Sequence, residues 1–332
     1  MCTMAPGLEE IVKEELAEKL NSPDISETAR GRVFFRGKYR LDELCRLSCV
    51  DNIYWMVSRL PIGTRKRDLE QLNEKVRKMD FSGAKQFLGI KDKPAIIVSA
   101  SKRGKQTYSR FDLADYVTEL LVGTGKFVAG DIHEHNFPIR IDLDTDSCAF
   151  SVQLTTADFR FRGSNYGYMP GGIRPTVAAA LIRVSRPDKE DVFYDPFCGA
   201  GTIPRERARM PSRRILASDL NPDAVACARN NLPGNIKVFP CDARKMKVRD
   251  NSIDVIVSNI PWGKQIEVEN IGELYTDFFR EAGRVMKDQG RIVILTDREE
   301  IVESAEKMGF GISQQAVVSL HGLTAGVYLI QK

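Results

Sequence analysis

Apolar and polar positions alternate along the chain with two distinct periods. From Gly7 to Leu20, apolar residues fall at Leu8, Ile11, Val12, Leu16 and Leu20, close to the 3.6 spacing of a helix with one buried face. Arg32 to Phe35 is a short β-type run, and Leu41 to Val57 returns to helical spacing through Leu44, Leu47, Cys49 and Ile53. The pattern predicts strand, helix, strand, helix over residues 1–60, a small α/β unit. Beyond Pro61-Ile62-Gly63, helices are expected over Leu69–Met79, Ala84–Leu88 and Asp112–Gly123, with strands over Ala95–Ala100, Ile139–Asp144 and Ala149–Leu154. Asp112 and Asp115 suit the positive end of their helix. Helices interleaved with sheet make residues 61–158 a second α/β domain.

Residues 159–174, which include most of FRGSNYGYMPGGIRP, are dense in Gly, Pro and polar side chains and read as a linker. The texture then changes. Five near-continuous apolar runs, Val192–Phe197, Arg214–Asp219, Ile236–Cys241, Ile253–Asn259 and Arg291–Thr296, alternate with helical stretches such as Ala224–Leu232 and Leu274–Met286. Strands of this kind belong to a parallel sheet covered on both faces. Gln314–Leu320 and Gly326–Ile330 flank HGLTA as a hairpin, an antiparallel edge that completes seven strands. Residues 175–332 are thus expected to form a Rossmann-like domain.

Composition narrows the field without deciding it. No apolar run approaches the roughly 18 to 20 residues that span a bilayer, and MCTMAPGLEEIVKEEL is acidic where a secretory leader would be basic, so a cytoplasmic protein without membrane contact is expected. Seven scattered cysteines lack the CxxC pairs of zinc or redox sites and are expected as reduced, mostly buried thiols, with Cys45 and Cys49 on one helical face. His133 and His135 flank Glu134, but only His321 remains as a third imidazole, so no metal is expected. Net charge is +4, with basic and acidic residues evenly divided along the chain. Local clusters carry more information: Arg65, Lys66 and Arg67; Lys102, Arg103 and Lys105; Arg160 and Arg162 are the candidate phosphate contacts.

The chemistry concentrates at strand ends. YDPFCGAGT, Tyr194 to Thr202, closes a buried strand and opens a helix, and Gly199 and Gly201 let a ligand approach main-chain N–H groups. A dinucleotide fingerprint would need a third glycine at Pro204, so a ligand without pyrophosphate fits better. Asp219 ends the second strand in ASDLNPDAV, where a carboxylate can accept from ribose hydroxyls, while Asn221 before Pro222 suits a helix cap. Asp242 ends the third strand in PCDAR, placed to accept from an adenine amine. The fourth strand ends in SNIPWGKQI. A guanine amine is a poor nucleophile because its lone pair is delocalised into the ring, and acceptors on its two N–H bonds would orient it. The side chain of Asn259 and the carbonyl of Ile260, whose direction Pro261 restricts, are those acceptors, and Trp262 offers a face on which an extruded base can stack. No nucleophilic cysteine accompanies this motif, which argues against methylation at a pyrimidine C5.

With these motifs in order, the chain resembles the THUMP-domain tRNA guanine-N2 methyltransferases. APGLEEIVKEEL resembles the family's opening, Asp112 to Leu154 the end of its THUMP domain, and GGIRPTVAAALI the segment leading into the cofactor site. The resemblance implies a ferredoxin-like domain (residues 1–60), a THUMP domain (61–158), the linker and a Rossmann-like methyltransferase domain (175–332). It implies S-adenosylmethionine (SAM) as cofactor, held by Asp195, Pro196, Phe197, Cys198, Gly199, Gly201, Thr202, Asp219, Leu220, Asn221, Asp242, Ala243, Asn259 and Thr176. It also implies tRNA as partner, gripped at its 3′ end by a monomeric enzyme. The wider group reads Asn or Asp, Pro, Pro, aromatic; Ile260 replaces the first proline here and Trp262 is the aromatic, a form resembling the branch that acts on the sixth nucleotide of the acceptor stem. A linker of about 15 residues spans at most roughly 50 Å, which keeps that stem within reach of the 3′ end. Open alternatives are the tenth tRNA nucleotide, a ribosomal guanine, and an inactive RNA-binding protein with a methyltransferase fold. A thiouridine synthase is excluded by the absence of a nucleotide-activating GxxxxGK[ST] loop.

Overall fold

A computed structural model describes residues 1–163, 166–263, 270–320 and 322–332. The chain opens with β1 (Cys2–Thr3), α1 (Glu9–Lys19), β2 (Asp24–Ala29), β3 (Arg32–Arg36), α2 (Leu41–Leu44) and β4 (Asn52–Pro61), the strand and helix order of a ferredoxin-like domain. A 3₁₀ turn (Lys66–Leu72) leads to α3 (Asn73–Arg77), α4 (Ser82–Phe87), β5 (Ala95–Arg103), α5 (Arg110–Val122), β6 (Val128–Ala129), β7 (Phe137–Asp144) and β8 (Ser147–Gln153). After a second 3₁₀ turn (Phe159–Phe161) come α6 (Pro175–Val184), β9 (Val192–Asp195), α7 (Thr202–Arg207), β10 (Arg214–Asp219), α8 (Pro222–Asn231) and β11 (Lys237–Pro240). The chain closes with β12 (Ile253–Asn259), α9 (Ile271–Val285), β13 (Met286–Thr296), α10 (Glu300–Lys307), β14 (Gly311–Leu320) and β15 (Leu323–Gln331). No helix among the described residues is long and apolar enough to cross a membrane.

Two compact units result, and their borders differ from the expected domain limits at the N-terminus. One comprises Met1–Cys2, Phe34–Arg46 and Asn52–Ala157; the other comprises Thr3–Val33, Leu47–Asp51 and Asp158–Lys332. In the first, β4, β8, β7, β5 and β6 lie side by side in that order. The alternation in β7 buries Phe137, Ile139, Ile141 and Leu143, which pack with Leu113, Val117 and Leu121 of α5. That helix starts at Arg110 because Ser109 caps it: the Ser109 hydroxyl accepts from the Asp112 N–H (3.0 Å) and the Asp112 carboxylate from the Ser109 N–H (2.8 Å). Asp112 is therefore the third helical residue rather than the first.

The expected helix over Leu41–Val57 is a correction. It stops at Leu44, and Asn52–Pro61 is strand β4, paired antiparallel with β8. In the second unit, the buried Glu15 of α1 accepts from the N–H groups of Ser48 (2.7 Å) and Cys49 (2.9 Å). Those donors are thereby withdrawn from a helical ladder, and the aromatic and β-branched run after Asn52 suits a strand. Cys45 is consequently exposed while Cys49 is buried, not both on one helical face.

The second unit holds a seven-stranded sheet ordered β11-β10-β9-β12-β13-β15-β14. The first five strands are parallel, and β15 runs antiparallel between β13 and β14, so the antiparallel strand sits one place in from the edge. His321 of the expected HGLTA turn lies outside the described residues, and Gly322 follows at φ +86°. Strand order reverses at β9 and β12, which opens a crevice at their carboxyl ends. The helices α1 and α6 are joined by Glu18 with Arg183 (2.5 Å), while Asp51 takes both Arg174 and the hydroxyl of Thr176 (2.7 Å each).

Candidate active site

The turn after β9 is built from main-chain hydrogen bonds. The Cys198 N–H donates to the carbonyl of Ser218 on β10 (2.9 Å), and the Gly201 N–H donates back to Cys198 (2.8 Å). Gly199 and Gly201 have φ of +52° and +86°, where a side chain is strained. A Cβ at Gly201 would meet the Leu232 side chain at 3.0 Å, whereas the space beside Gly199 is open. Asp219, at the end of β10, fastens the turn: one carboxylate oxygen accepts from the Gly199 N–H (2.9 Å), the other from the Asn221 N–H (3.0 Å). Asn221 then caps α8 through the Asp223 N–H (2.8 Å). Leu220, between them, is 65% exposed and presents an apolar surface beside the carboxylate.

Asp195 ends β9 fully buried. One oxygen accepts from the Ser258 hydroxyl (2.7 Å) and the Phe197 N–H (3.2 Å); the other has no partner among the described residues. Burial pushes its carboxyl from 3.8 up to about 7, against those hydrogen bonds and with help from Asp219. The unfolded chain releases this proton near its ordinary value and the folded chain only near 7, so stability declines as pH rises through that window and is level above it. A change of that size corresponds to about 4 kcal/mol. Asp195→Asn should flatten the decline, giving a higher melting temperature than wild type at pH 8 and a smaller difference between pH 5 and 8. Identical pH profiles for the two proteins would contradict this assignment.

The fourth strand supplies the remaining groups. The Asn259 amide nitrogen donates to the Gly171 carbonyl (2.9 Å), and its Oδ1 is buried without a partner among the described residues. A carbonyl only accepts, so the orientation of the amide is fixed: nitrogen toward Gly171, oxygen away from it. Ile260 is buried, the Pro261 carbonyl accepts from the Tyr275 hydroxyl (2.7 Å), and the Trp262 indole N–H donates to the Leu295 carbonyl (3.2 Å). The Trp262 carbonyl accepts from Arg298 (2.6 Å), so ring and backbone are both anchored. Lys264, Gln265 and Ile266, the end of the SNIPWGKQI motif, lie outside the described residues, as do Ser164 and Asn165 of the linker.

Asp195, Pro196, Phe197, Cys198, Gly199, Gly201, Thr202, Asp219, Leu220, Asn221 and Asn259 thus gather at the carboxyl edge of neighbouring strands. The orphaned oxygen of Asp195, the open space at Gly199 and the exposed Leu220 leave room there for a cationic ligand with an apolar part, while the orphaned oxygen of Asn259 is a separate free acceptor at the end of β12. Asp242 and the buried Ala243 follow β11, but the Asp242 carboxylate is gripped by Arg244 (2.8 Å), which holds it below the usual carboxylate range. Thr176 is buried in α6 with its hydroxyl given to Asp51. Burial also pushes the Cys198 thiol far up, which keeps it un-ionised and unsuited to nucleophilic attack. Gly171, Ser258 and Tyr275 were assigned no role from sequence. Ser258 adjoins Asn259 in the motif and could have been found there; the other two are brought in only by folding.

Of the basic clusters, two meet in the first unit. The Lys66 N–H donates to the Thr107 hydroxyl (3.0 Å) and the Thr107 N–H to the Thr64 carbonyl (2.8 Å), which sets Arg65–Arg67 beside Lys102–Lys105. Arg65, Arg67, Arg103 and Lys105 are exposed there; Lys66 pairs with Asp112 (2.9 Å), and the Lys102 ammonium donates to the Gln106 and Tyr108 carbonyls. Arg162 is a correction: its side chain is 9% exposed and is committed to Glu206 and the carbonyls of Ser48 and Phe159, so it braces the second unit rather than facing phosphates. Arg160 is half-buried over the Phe161 ring (4.7 Å). His133, Glu134 and His135 occupy an exposed turn rather than a strand, and Asp131 accepts from the first two N–H groups.

Comparison with known proteins follows this geometry. Residues 162–323 match the family described as UPF0020, RMKL-like, methyltransferase domain, and residues 1–47 match the RlmL ferredoxin-like domain. A tRNA (guanine(6)-N2)-methyltransferase of Methanocaldococcus jannaschii is 22% identical, with 99% of this chain and 98% of the relative aligned. The Thermus thermophilus protein of the same name is 26% identical over the same shares. A tRNA (guanine(10)-N2)-dimethyltransferase of Methanothermobacter thermautotrophicus is 28% identical, but aligns over 50% of this chain and 51% of its own. The crystal structure of TrmN from Thermus thermophilus superposes with a TM-score of 0.80 at 24% identity, covering 100% of this chain and 98% of that one.

Proposed function

We propose that this chain, which is similar to tRNA (guanine(6)-N2)-methyltransferases along nearly its whole length, methylates the exocyclic amine of a guanine in the tRNA acceptor stem, at nucleotide six. The observation that carries this reading is the Asn259 amide. Its nitrogen is held by Gly171, and its buried Oδ1 is left as an acceptor facing away. An acceptor there takes one N–H of the guanine amine, and the carbonyl of Ile260 takes the other. With both N–H bonds directed, the nitrogen lone pair is turned out of conjugation with the ring. SAM supplies an electrophilic methyl group when bound. The glycine turn, Asp219 and Leu220 would hold that cofactor by its ribose and adenine, and Asp195 would offer a buried carboxyl to its positive charge. Once methylated, the nitrogen is a strong acid and releases its proton to water, so no ionised base is required.

The target guanine is paired in the stem and must leave it, at a cost of a few kcal/mol. Trp262, fixed at both its indole N–H and its carbonyl, offers a rigid face for the extruded base. Arg65, Arg67, Arg103 and Lys105 of the first unit supply exposed cations for the RNA backbone. Nucleotide six is favoured over ten because two position-six relatives align along nearly the whole chain, whereas a position-ten relative aligns over half. The Asn-Ile-Pro-Trp order of residues 259–262 supports the same choice.

The test is direct: incubate the protein with labelled SAM and unmodified tRNA, digest the RNA and identify the nucleoside. N2-methylguanosine is expected. A methylated adenosine or cytidine, or labelling of no tRNA, would overturn the reading.

A further inference from the structure

The reactive crevice uses the carboxyl ends of the strands. Their amino ends, at the opposite edge, carry a feature that the transfer chemistry does not use. A groove of about 650 Å³ runs past the starts of β9, β10, β11, β12 and β13, and Arg213, Arg214, Lys237, Lys247, Arg249 and Lys287 line it. Only Lys287 is neutralised, by both oxygens of Asp254 (2.7 and 2.9 Å). The acids next to it are also taken: Arg284 holds Asp250 (2.5 Å) and Glu281 (2.7 Å). Arg213, Arg214, Lys237, Lys247 and Arg249 are exposed and make no ion pair among the described residues. In a chain whose net charge is only +4, five unpaired cations on one groove are a local concentration and not a consequence of composition.

We infer that this groove binds the phosphate backbone of the RNA substrate, as a second contact remote from the reactive guanine. The inference rests on the tRNA reading above. A small anion would call for convergent, buried donors. These cations are instead dispersed along the starts of several strands, on long exposed side chains, which matches a row of phosphates. The groove is also open at a sheet margin, because β11, which contributes Lys237, is the edge strand. From Ile253 to Asn259 the length of β12 places groove and crevice about 20 Å apart. RNA bound at Asn259 therefore reaches the groove by passing around the β11 edge, and the groove contributes to grip without touching the transfer step.

The test is the triple variant Arg213→Gln, Lys247→Gln, Arg249→Gln, assayed as the full chain with tRNA over a series of salt concentrations. The KM for tRNA is expected to rise on the order of 10²-fold at 0.1 M salt, and the slope of log affinity against log salt to shrink by roughly 2 to 3. The kcat at saturating tRNA, the SAM affinity and the melting temperature should stay as in wild type. A folded variant with unchanged KM and slope would overturn the groove. So would displacement of tRNA from the wild-type protein by millimolar inorganic phosphate at constant ionic strength, which would mark a small-anion site. If the triple variant melts early, Arg213→Lys, Lys247→Arg, Arg249→Lys keeps the charge: retained affinity supports the groove and lost affinity overturns it. Failure of the wild-type protein to methylate tRNA would instead sink the proposed function, so the two failures are distinguishable.

Discussion

Asn259→Ala is expected to lower kcat for tRNA methylation by about 10² to 10³-fold, the range seen when one preorganised polar group is removed from a reacting centre, while SAM affinity changes by no more than a few fold. The side chain is held by Gly171 through its nitrogen and contributes its oxygen to the amine, so its loss leaves the lone pair undirected. Asn259→Asp separates two explanations. It keeps an acceptor but sets an anionic oxygen against the Gly171 carbonyl, so the side chain turns away and turnover should fall as well. Wild-type turnover in the alanine variant would contradict the mechanism. A collapse of SAM affinity would show that Asn259 serves the cofactor and not the amine. Single-turnover kinetics with calorimetric SAM binding provides both readings.

Asp219→Ala should have the largest effect on the cofactor, weakening SAM on the order of 10²-fold and lowering the melting temperature. Each carboxylate oxygen already accepts a main-chain N–H, one from Gly199 and one from Asn221. Hydrogen bonds to a charged group are worth about 1.5 to 3 kcal/mol each. Removing the group frees the glycine turn from the end of β10 and also deletes the acceptor for the ribose, since each oxygen retains a lone pair for a hydroxyl. Asp219→Asn can keep one of the two N–H bonds and should fall between. Calorimetry that finds the alanine variant binding SAM as tightly as wild type would confine Asp219 to a structural role.

The parts of the site that were legible in the sequence are those assembled from neighbours in the chain. Asp219 and Asn259 end strands, Gly199 and Gly201 lie in the turn between β9 and α7, and parallel strands bring such ends to one edge without further information. The helical spacing over Leu41–Val57 misled because apolar residues also recur in an irregular segment that feeds one core. What breaks the helix is Glu15, more than thirty residues away, taking the Ser48 and Cys49 N–H groups. Arg162 looked like a surface cation beside Arg160, yet its neighbours Ser48 and Glu206 are distant in sequence. Thr176 and Asp51 met for the same reason. The amino-edge groove was missed because its cations come from separate segments, Arg213–Arg214, Lys237 and Lys247–Arg249, that only folding brings together.

The central claim is the nucleotide. Two unmodified tRNA transcripts, identical except that the sixth nucleotide is guanine in one and another base with its pairing restored in the other, should be incubated with the protein and SAM, and the modification located by mass spectrometry of the digested RNA. The account predicts N2-methylguanine at nucleotide six of the first transcript and none in the second. Equal methylation of both, with the label at the tenth nucleotide, would contradict it.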